Sequence, residues 1–143
     1  MNVAQIIALV VAWALTVFLV ATYYKAGKFK LTAPIDTLVA AGMAWTKQIP
    51  AGLVRTIALL ELVGAAGIVL APIASQFLGF EWAQFWGVAA ALGLTLVMLV
   101  AIVMHIGRGE FKYTYKSNLA LFFASLVLAV ILAIWGGNVF ATA

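Results

Sequence analysis

The sequence predicts an all-α fold, an integral membrane four-helix bundle with a short interfacial or re-entrant helix between helices 1 and 2. Of its 143 residues, 67 per cent are apolar and only 8 per cent are charged, whereas soluble domains are about one-quarter charged. Four stretches are almost free of charge and reach the ~20 residues that cross a bilayer as a helix. The strict alternation of apolar and polar residues that a membrane barrel needs is absent. Helices are therefore the structure that can satisfy the hydrogen-bonding groups of the backbone in lipid.

The apolar stretches predict spans at about 3–24, 52–72, 83–106 and 117–139, which make residues 1–143 a single transmembrane domain. We expect the first stretch to be a retained helix, because no basic segment precedes it and it exceeds the ~7–15 apolar residues of a signal peptide. Apolar residues then recur at helical spacing between Pro34 and Pro50, which predicts a short helix at about 34–47 in the membrane interface.

The basic side chains predict the orientation of the chain. Most of them lie in the first and third loops: Lys25, Lys28, Lys30, Lys47, Arg108, Lys112 and Lys116. The second loop contains only Glu81 as a charged residue. The positive-inside rule therefore predicts both basic loops in the cytoplasm and both chain ends outside, in a bacterial inner membrane. The net charge of +4 is explained by orientation, so we expect no nucleic-acid partner.

The composition also limits the cofactors. Without cysteine, the chain has no disulfide, thiolate metal site or cysteine-held iron–sulfur cluster, and its single histidine excludes a bis-histidine haem held by this chain alone. Glu61 and His105 are fewer ligands than the three or four that hold zinc. We therefore expect no metal site, no covalently held cofactor and no independent catalytic activity, and the candidate ligands are a diffusible quinone or a lipid.

Ionisable residues within the membrane indicate candidate functional positions. Glu61 lies about 9 Å deeper than Arg55 along the second span and about 240° around it, so the two do not share a face. We expect Glu61 to be paired from another helix, with His105 or a hydroxyl nearer than Arg55. Residues at similar depths along the four spans are expected to lie side by side. Comparison of these depths predicts one polar pocket, formed by Thr16, Tyr24, Arg55, Glu61, His105 and Asn118. Each of these residues also has a purely structural explanation. Glu61 is then protonated, Arg55 reaches the lipid phosphates, and His105 caps the end of its helix.

Two segments resemble a known family. The stretch RTIALLELVGAAGIVL at residues 55–70, with an arginine, a glutamate six residues on and two spaced glycines, is similar to the second helix of DoxX-like membrane proteins. The stretch LGLTLVMLVAIVMHIGRGE at residues 92–110 resembles their third helix, which ends in a histidine and a basic loop. Lys28 and Phe29 also stand where the family has a lysine near a helix end.

The resemblance implies a small four-helix membrane protein that accompanies redox enzymes. The family takes its name from a subunit of a membrane thiosulfate:quinone oxidoreductase, and many members have no assigned activity. The resemblance also implies that Arg55, Glu61 and His105 form a polar cluster.

Three functions follow from these observations. The first is an accessory membrane subunit of a quinone-linked redox or respiratory complex, with other membrane proteins and the lipid bilayer as partners. The second is a small carrier or binder of lipophilic molecules with a proton-linked Glu61. The third is a structural bundle that binds lipid and stabilises a larger assembly. Co-purification separates the first from the others, and proton-coupled uptake into liposomes separates the second from the third.

Overall fold

The predicted all-α membrane bundle is confirmed by the computed structural model, which describes residues 2–135. The helices in chain order are α1 (Val3–Thr32), α2 (Ile35–Ala40), α3 (Ala51–Phe77), α4 (Ala83–Gly107) and α5 (Phe111–Trp135). A 3₁₀ turn at Ala44–Lys47 lies between α2 and α3. The four long helices α1, α3, α4 and α5 are long and apolar enough to cross a membrane. The predicted end of the last span, near residue 139, lies outside the described residues.

Helix α1 is longer than its apolar run. It begins with a capping box, in which Asn2 and Gln5 exchange side-chain to backbone hydrogen bonds. It continues to Thr32, past the predicted end near residue 24, because nothing between these positions breaks a helix. Pro34 disfavours the helical conformation at the residue before it, and Ala33 is indeed extended with ψ of 145°. The last two turns of α1 therefore carry lysines that the hydropathy pattern assigned to a loop.

Glycines in the left-handed conformation divide the shorter segments. Gly42, with φ of 93°, ends α2 and splits the helix predicted at about 34–47 into α2 and the 3₁₀ turn. Gly109, with φ of 69°, ends α4 in the same way, and the following amide donates to the carbonyl of His105. This tight reversal lets α5 begin at Phe111, earlier than the predicted start near residue 117.

The long helices form a closed ring. Helix α1 packs on α3, α3 on α4 and α4 on α5, while α5 returns to α1. The centre of the ring is filled by small and aliphatic side chains, including Ala12, Leu19, Leu94 and Leu128. A second apolar cluster joins α2 and the 3₁₀ turn to the bundle and contains Ala33, Leu38, Trp45 and Val54. The outer surface exposes many large apolar side chains, as a lipid-facing surface does.

A close approach of α3 and α4 depends on a glycine. A Cβ atom added at Gly67 would lie 2.7 Å from the Cβ atom of Ala90, which cannot move without its helix. Small residues at such contacts let helices approach closely enough for dispersion forces to hold them together in lipid. Gly93 on α4 has open space around it instead.

We expect Gly67→Ala to destabilise the bundle, because the overpacking cost of ~1–3 kcal/mol equals or exceeds the gain of at most about 1 kcal/mol in helix propensity. Gly93→Ala is the matched control, since it gains the same propensity without a clash. Thermal unfolding in mild detergent measures both variants. A Gly67→Ala protein that melts at or above the temperature of Gly93→Ala would contradict the proposed contact.

Candidate functional site

The bundle contains a half-open cavity of about 540 Å³ near the end of the ring that carries α2 and the 3₁₀ turn. Its volume lies within the ~300–1,000 Å³ of small-molecule pockets. All four long helices contribute walls, and Gly42, Met43 and Trp45 of the connecting segment contribute as well. Most of the lining is apolar. The polar side chains in it are Thr22, Tyr23, Lys30, Glu61, His105, Thr114, Ser117 and Asn118.

A buried ion pair lies on one wall of this bundle cavity. The Nζ atom of Lys30 is 2.5 Å from each carboxylate oxygen of Glu61. The two residues are only 7 and 2 per cent exposed, respectively. Charged groups inside a membrane are costly unless they are paired. The pair therefore joins α1 to α3 at a point where either charge alone would be strongly unfavourable.

The direction of α1 explains how Lys30 reaches this depth. Side chains on an α-helix lean toward its N-terminus, and the N-terminus of α1 lies at the opposite end of the bundle. Lys30, in the last turn of α1, therefore leans into the bundle rather than toward the loops. A lysine near a membrane surface usually extends its ammonium group to water, so its inward position depends on Glu61.

Arg55 holds the backbone of the same segment. Its Nη1 donates to the carbonyl oxygen of Lys30, and its Nη2 donates to the carbonyl oxygen of Ala33 at 2.7 Å. These carbonyls belong to the last turn of α1, whose acceptors have no partner within the helix. Arg55 therefore caps α1, while Glu61 binds the Lys30 side chain. The two charged residues of α3 face different directions, yet both fix the end of α1.

A second cluster of polar residues links the loops at this end, and we name it the loop ion cluster: Gln48, His105, Arg108 and Glu110. Arg108 donates to both carboxylate oxygens of Glu110, at 3.0 and 2.8 Å, in a bidentate pair. It also donates to the side-chain oxygen of Gln48, which follows the 3₁₀ turn. The segment between α1 and α3 is thereby fastened to the turn between α4 and α5.

His105 connects the loop ion cluster to the cavity. Its Nδ1 lies 3.1 Å from Glu110 Oε2, and its side chain also lines the bundle cavity. The hydrogen bond from Arg108 lowers the pKa of the Glu110 carboxyl to about 2, so this group is ionised at neutral pH and can only accept hydrogen bonds. The proton between them is therefore carried by Nδ1 of His105, and contact with a ligand is left to its Nε2.

The structure brings three of the six predicted site residues to the cavity: Glu61, His105 and Asn118. Arg55 does not line the cavity, and its hydrogen bonds cap the end of α1 instead. Thr16 is buried, and its hydroxyl donates to the carbonyl of Ala12 within its own helix. Tyr24 is 56 per cent exposed, with the Lys28 ammonium over its ring, and its neighbour Tyr23 lines the cavity instead.

The expectation that Glu61 is paired from another helix is confirmed, but the partner is not one of the residues that the sequence suggested for it. The partner is Lys30, which was assigned to a loop because hydropathy drops after residue 24, although the helix does not end there. The spacing of polar residues along α1 contained a signal that could have identified Lys30. Thr16, Tyr23 and Lys30 recur every seven residues, which is about 20° short of two full helical turns, so they share one buried face of α1.

A metal centre finds no support in this arrangement. Within residues 2–135, no group of three His, Asp or Glu side chains lies close enough together to hold a metal ion. The cavity combines apolar walls with a few hydrogen-bonding groups.

Residues 14–135 match a protein-family model described as the DoxX-like family. The match covers both segments in which the sequence resembles that family, and it extends over most of the chain. No curated protein and no solved structure matches the chain.

We expect Lys30→Met to lower the free energy of unfolding by about 3–5 kcal/mol, because it leaves Glu61 buried without a counter-charge. Adding Glu61→Leu to Lys30→Met should recover much of that loss, since the double variant removes both charges. Melting temperatures in detergent measure the effect, with the exposed Lys28→Met as the control. Losses from the two single substitutions that simply add in the double variant would contradict the ion pair.

Proposed function

The chain belongs to the DoxX-like family, and on that basis we propose that it is an accessory integral-membrane subunit of a quinone-linked redox complex. Its own contribution is the bundle cavity, which holds a quinone-sized lipophilic molecule. The observation that carries this proposal is the combination, at one place within a membrane-spanning bundle, of a volume of about 540 Å³, apolar walls and buried polar groups.

The composition of the chain supports a role in which a partner carries out electron transfer. The sequence has no cysteine and one histidine, so cysteine-held clusters and a bis-histidine haem have to belong to partner subunits. A diffusible quinone needs only apolar walls and a few hydrogen bonds, which the cavity offers. The role that fits these residues is to hold such a molecule beside a redox enzyme.

The alternative function, a carrier of lipophilic molecules, is supported by the same buried charges, because an acidic residue within a membrane is typical of proton-linked sites. The bond to Lys30 favours binding over transport, since releasing or protonating Glu61 would leave a buried ammonium group without its partner. Proton-driven uptake of a lipophilic substrate into liposomes that contain only this chain would favour the carrier.

The proposal predicts what the chain retains when it is purified in mild detergent from its native membrane. We expect mass spectrometry to find a quinone-class molecule in the cavity and subunits that carry haem, flavin or iron–sulfur centres. Ala101→Phe, which fills the cavity wall, should lose the small molecule. Ala89→Phe, on the exposed surface of the same helix, should keep it.

Two results would contradict the proposal. A chain that retains only bulk phospholipid and no redox subunit would favour a structural, lipid-binding role. A small molecule that Ala89→Phe and Ala101→Phe retain equally would lie outside the cavity.

We also propose that the end of the bundle that carries the cavity faces the cytoplasm of a bacterial inner membrane, with the N- and C-termini outside. Hydrogen bonds from Arg55 to the end of α1, and from Arg108 to Gln48, show that the two basic loops lie at the same end. Basic residues concentrated at one end favour the cytoplasmic side.

The absence of cysteine from the sequence makes this orientation straightforward to test. We introduce a single cysteine at Tyr113, beside the basic turn, or at Phe80, in the opposite loop, both of which are exposed. A membrane-impermeant maleimide added to intact spheroplasts should label Phe80→Cys and spare Tyr113→Cys until the membrane is opened. The reverse pattern would overturn the orientation.

A further inference from the structure

Two polar side chains of α5 have buried atoms without a hydrogen-bond partner within residues 2–135. These atoms are Nδ2 of Asn118 and the hydroxyl oxygen of Thr114. Both side chains line the bundle cavity, and Asn118 is only 8 per cent exposed. Buried polar groups in folded proteins are nearly always hydrogen-bonded. The two side chains therefore indicate that a molecule in the cavity supplies the missing partner.

Thr114 differs from the other threonines of the long helices. Within residues 2–135, the hydroxyl of each of the others donates to the backbone carbonyl four residues earlier: Thr16, Thr22, Thr32, Thr56 and Thr95. Such a bond lets a threonine inside a helix satisfy its hydroxyl locally. Thr114 does not make this bond, so its hydroxyl remains available to a molecule in the cavity.

The two unpaired groups lie close enough to act together. Thr114 and Asn118 are four residues apart on α5, so their side chains are neighbours on one face of the helix. An amide nitrogen only donates hydrogen bonds, and a threonine hydroxyl can donate one. A carbonyl oxygen has two lone pairs and accepts up to two hydrogen bonds. A single carbonyl oxygen of a ligand can therefore satisfy both side chains.

The charges around the cavity favour an uncharged ligand. The basic side chains in its lining are Lys30 and His105. Lys30 is paired with Glu61, and His105 is paired with Glu110. Among the described lining residues, no cation is thus left to neutralise a phosphate or carboxylate head group. Because an anion buried without a counter-charge is strongly unfavourable, the ligand oxygen belongs to a neutral group such as a ketone or a quinone.

We propose that α5 carries the docking site for the polar end of the bound molecule, where Asn118 and Thr114 both donate to one uncharged carbonyl oxygen. This inference rests on the proposed function. It adds which part of the ligand is recognised and which residues recognise it.

Other residues of the lining indicate where the rest of the molecule lies. Leu60 of α3, together with Leu96 and Val100 of α4, lines the cavity and is also exposed on the outer surface of the bundle. In a membrane, these apolar side chains contact lipid. The half-open cavity is therefore open to the bilayer on this side. A lipophilic molecule can enter from the lipid and keep its apolar part there while its carbonyl oxygen reaches α5.

The test compares menadione with 2-methylnaphthalene, which share the fused rings and the methyl group and differ in the carbonyl groups. Menadione reacts with thiols, but the chain has no cysteine. Calorimetric titration of the purified chain in mild detergent, corrected with protein-free micelles, gives a dissociation constant for each compound. We expect menadione to bind at least about tenfold more tightly, because only menadione satisfies the buried donors.

Variants assign this difference to the two side chains. Thr114→Val and Asn118→Leu each remove one donor with little change in size, so each should weaken menadione about three- to tenfold and change 2-methylnaphthalene by less than about twofold. The double variant should bind the two compounds about equally. Thr95→Val is the control and should change neither, because Thr95 donates to its own helix and lies outside the cavity lining.

Melting temperatures without ligand separate binding from a structural role. A buried polar group without a partner destabilises the folded chain. Thr114→Val and Asn118→Leu should therefore melt at or above the temperature of the wild-type chain while they bind menadione less tightly. Lower melting temperatures for both variants would mean that these side chains stabilise the empty bundle through ordered water, which would overturn the inference.

Infrared difference spectroscopy of menadione labelled at its carbonyl carbons reports the contact directly. Hydrogen bonds to a carbonyl oxygen lower its stretching frequency. One carbonyl band of bound menadione should therefore lie below that of menadione in detergent alone, and it should move back in either variant. Bound menadione with unshifted carbonyl bands, or with equal affinity for the wild-type chain and the double variant, would overturn this inference and leave the proposed function standing. Failure of menadione to bind would overturn both.

Discussion

The ion pair between Lys30 and Glu61 is the constraint on which the rest of this bundle depends. Neither residue tolerates the interior of a membrane without the other, so the end of α1 has to pack against α3 at this level. Arg55 adds two hydrogen bonds to the last turn of α1 and keeps the Lys30 backbone in place. The inward lean of side chains on α1 then carries the ammonium group to the carboxylate. One electrostatic requirement thus fixes the position and rotation of α1 against α3.

The ion pair also forms part of the wall of the cavity. Its two residues contribute polar groups to a lining that is otherwise mostly apolar. The segment between α1 and α3 covers this region with Met43 and Trp45, and the contact of Arg108 with Gln48 fastens that cover to the opposite turn. The depressed pKa of Glu110 keeps its pair with Arg108 ionised well below neutral pH. The cover is therefore held by a contact that neutral pH does not weaken.

The sequence was enough to predict the four spans and the importance of Glu61, because long apolar runs and membrane-embedded acids are strong local signals. It predicted the neighbours of Glu61 less well. Hydropathy ends the first span at Tyr24, although a helix ends only where its backbone is interrupted, which happens before Pro34. Lys30 was therefore interpreted as a loop residue, and Tyr24 was preferred to Tyr23. Extending the buried face of α1 by seven residues from Thr16 and again from Tyr23 would have identified both.

Glu61 shows why stability and binding are difficult to separate in a small membrane bundle. Both of its carboxylate oxygens lie 2.5 Å from the Lys30 ammonium group, and its side chain also lines the cavity. Loss of function on substituting Glu61 would therefore be expected from either role. Asn118 and Thr114 differ in this respect, because their unpaired atoms join no contact between helices. Each of them is a buried polar group that needs a hydrogen-bond partner, which a ligand or an ordered water in the cavity would supply. Asn118 and Thr114 are therefore stronger evidence for a ligand than the charged pair of Lys30 and Glu61.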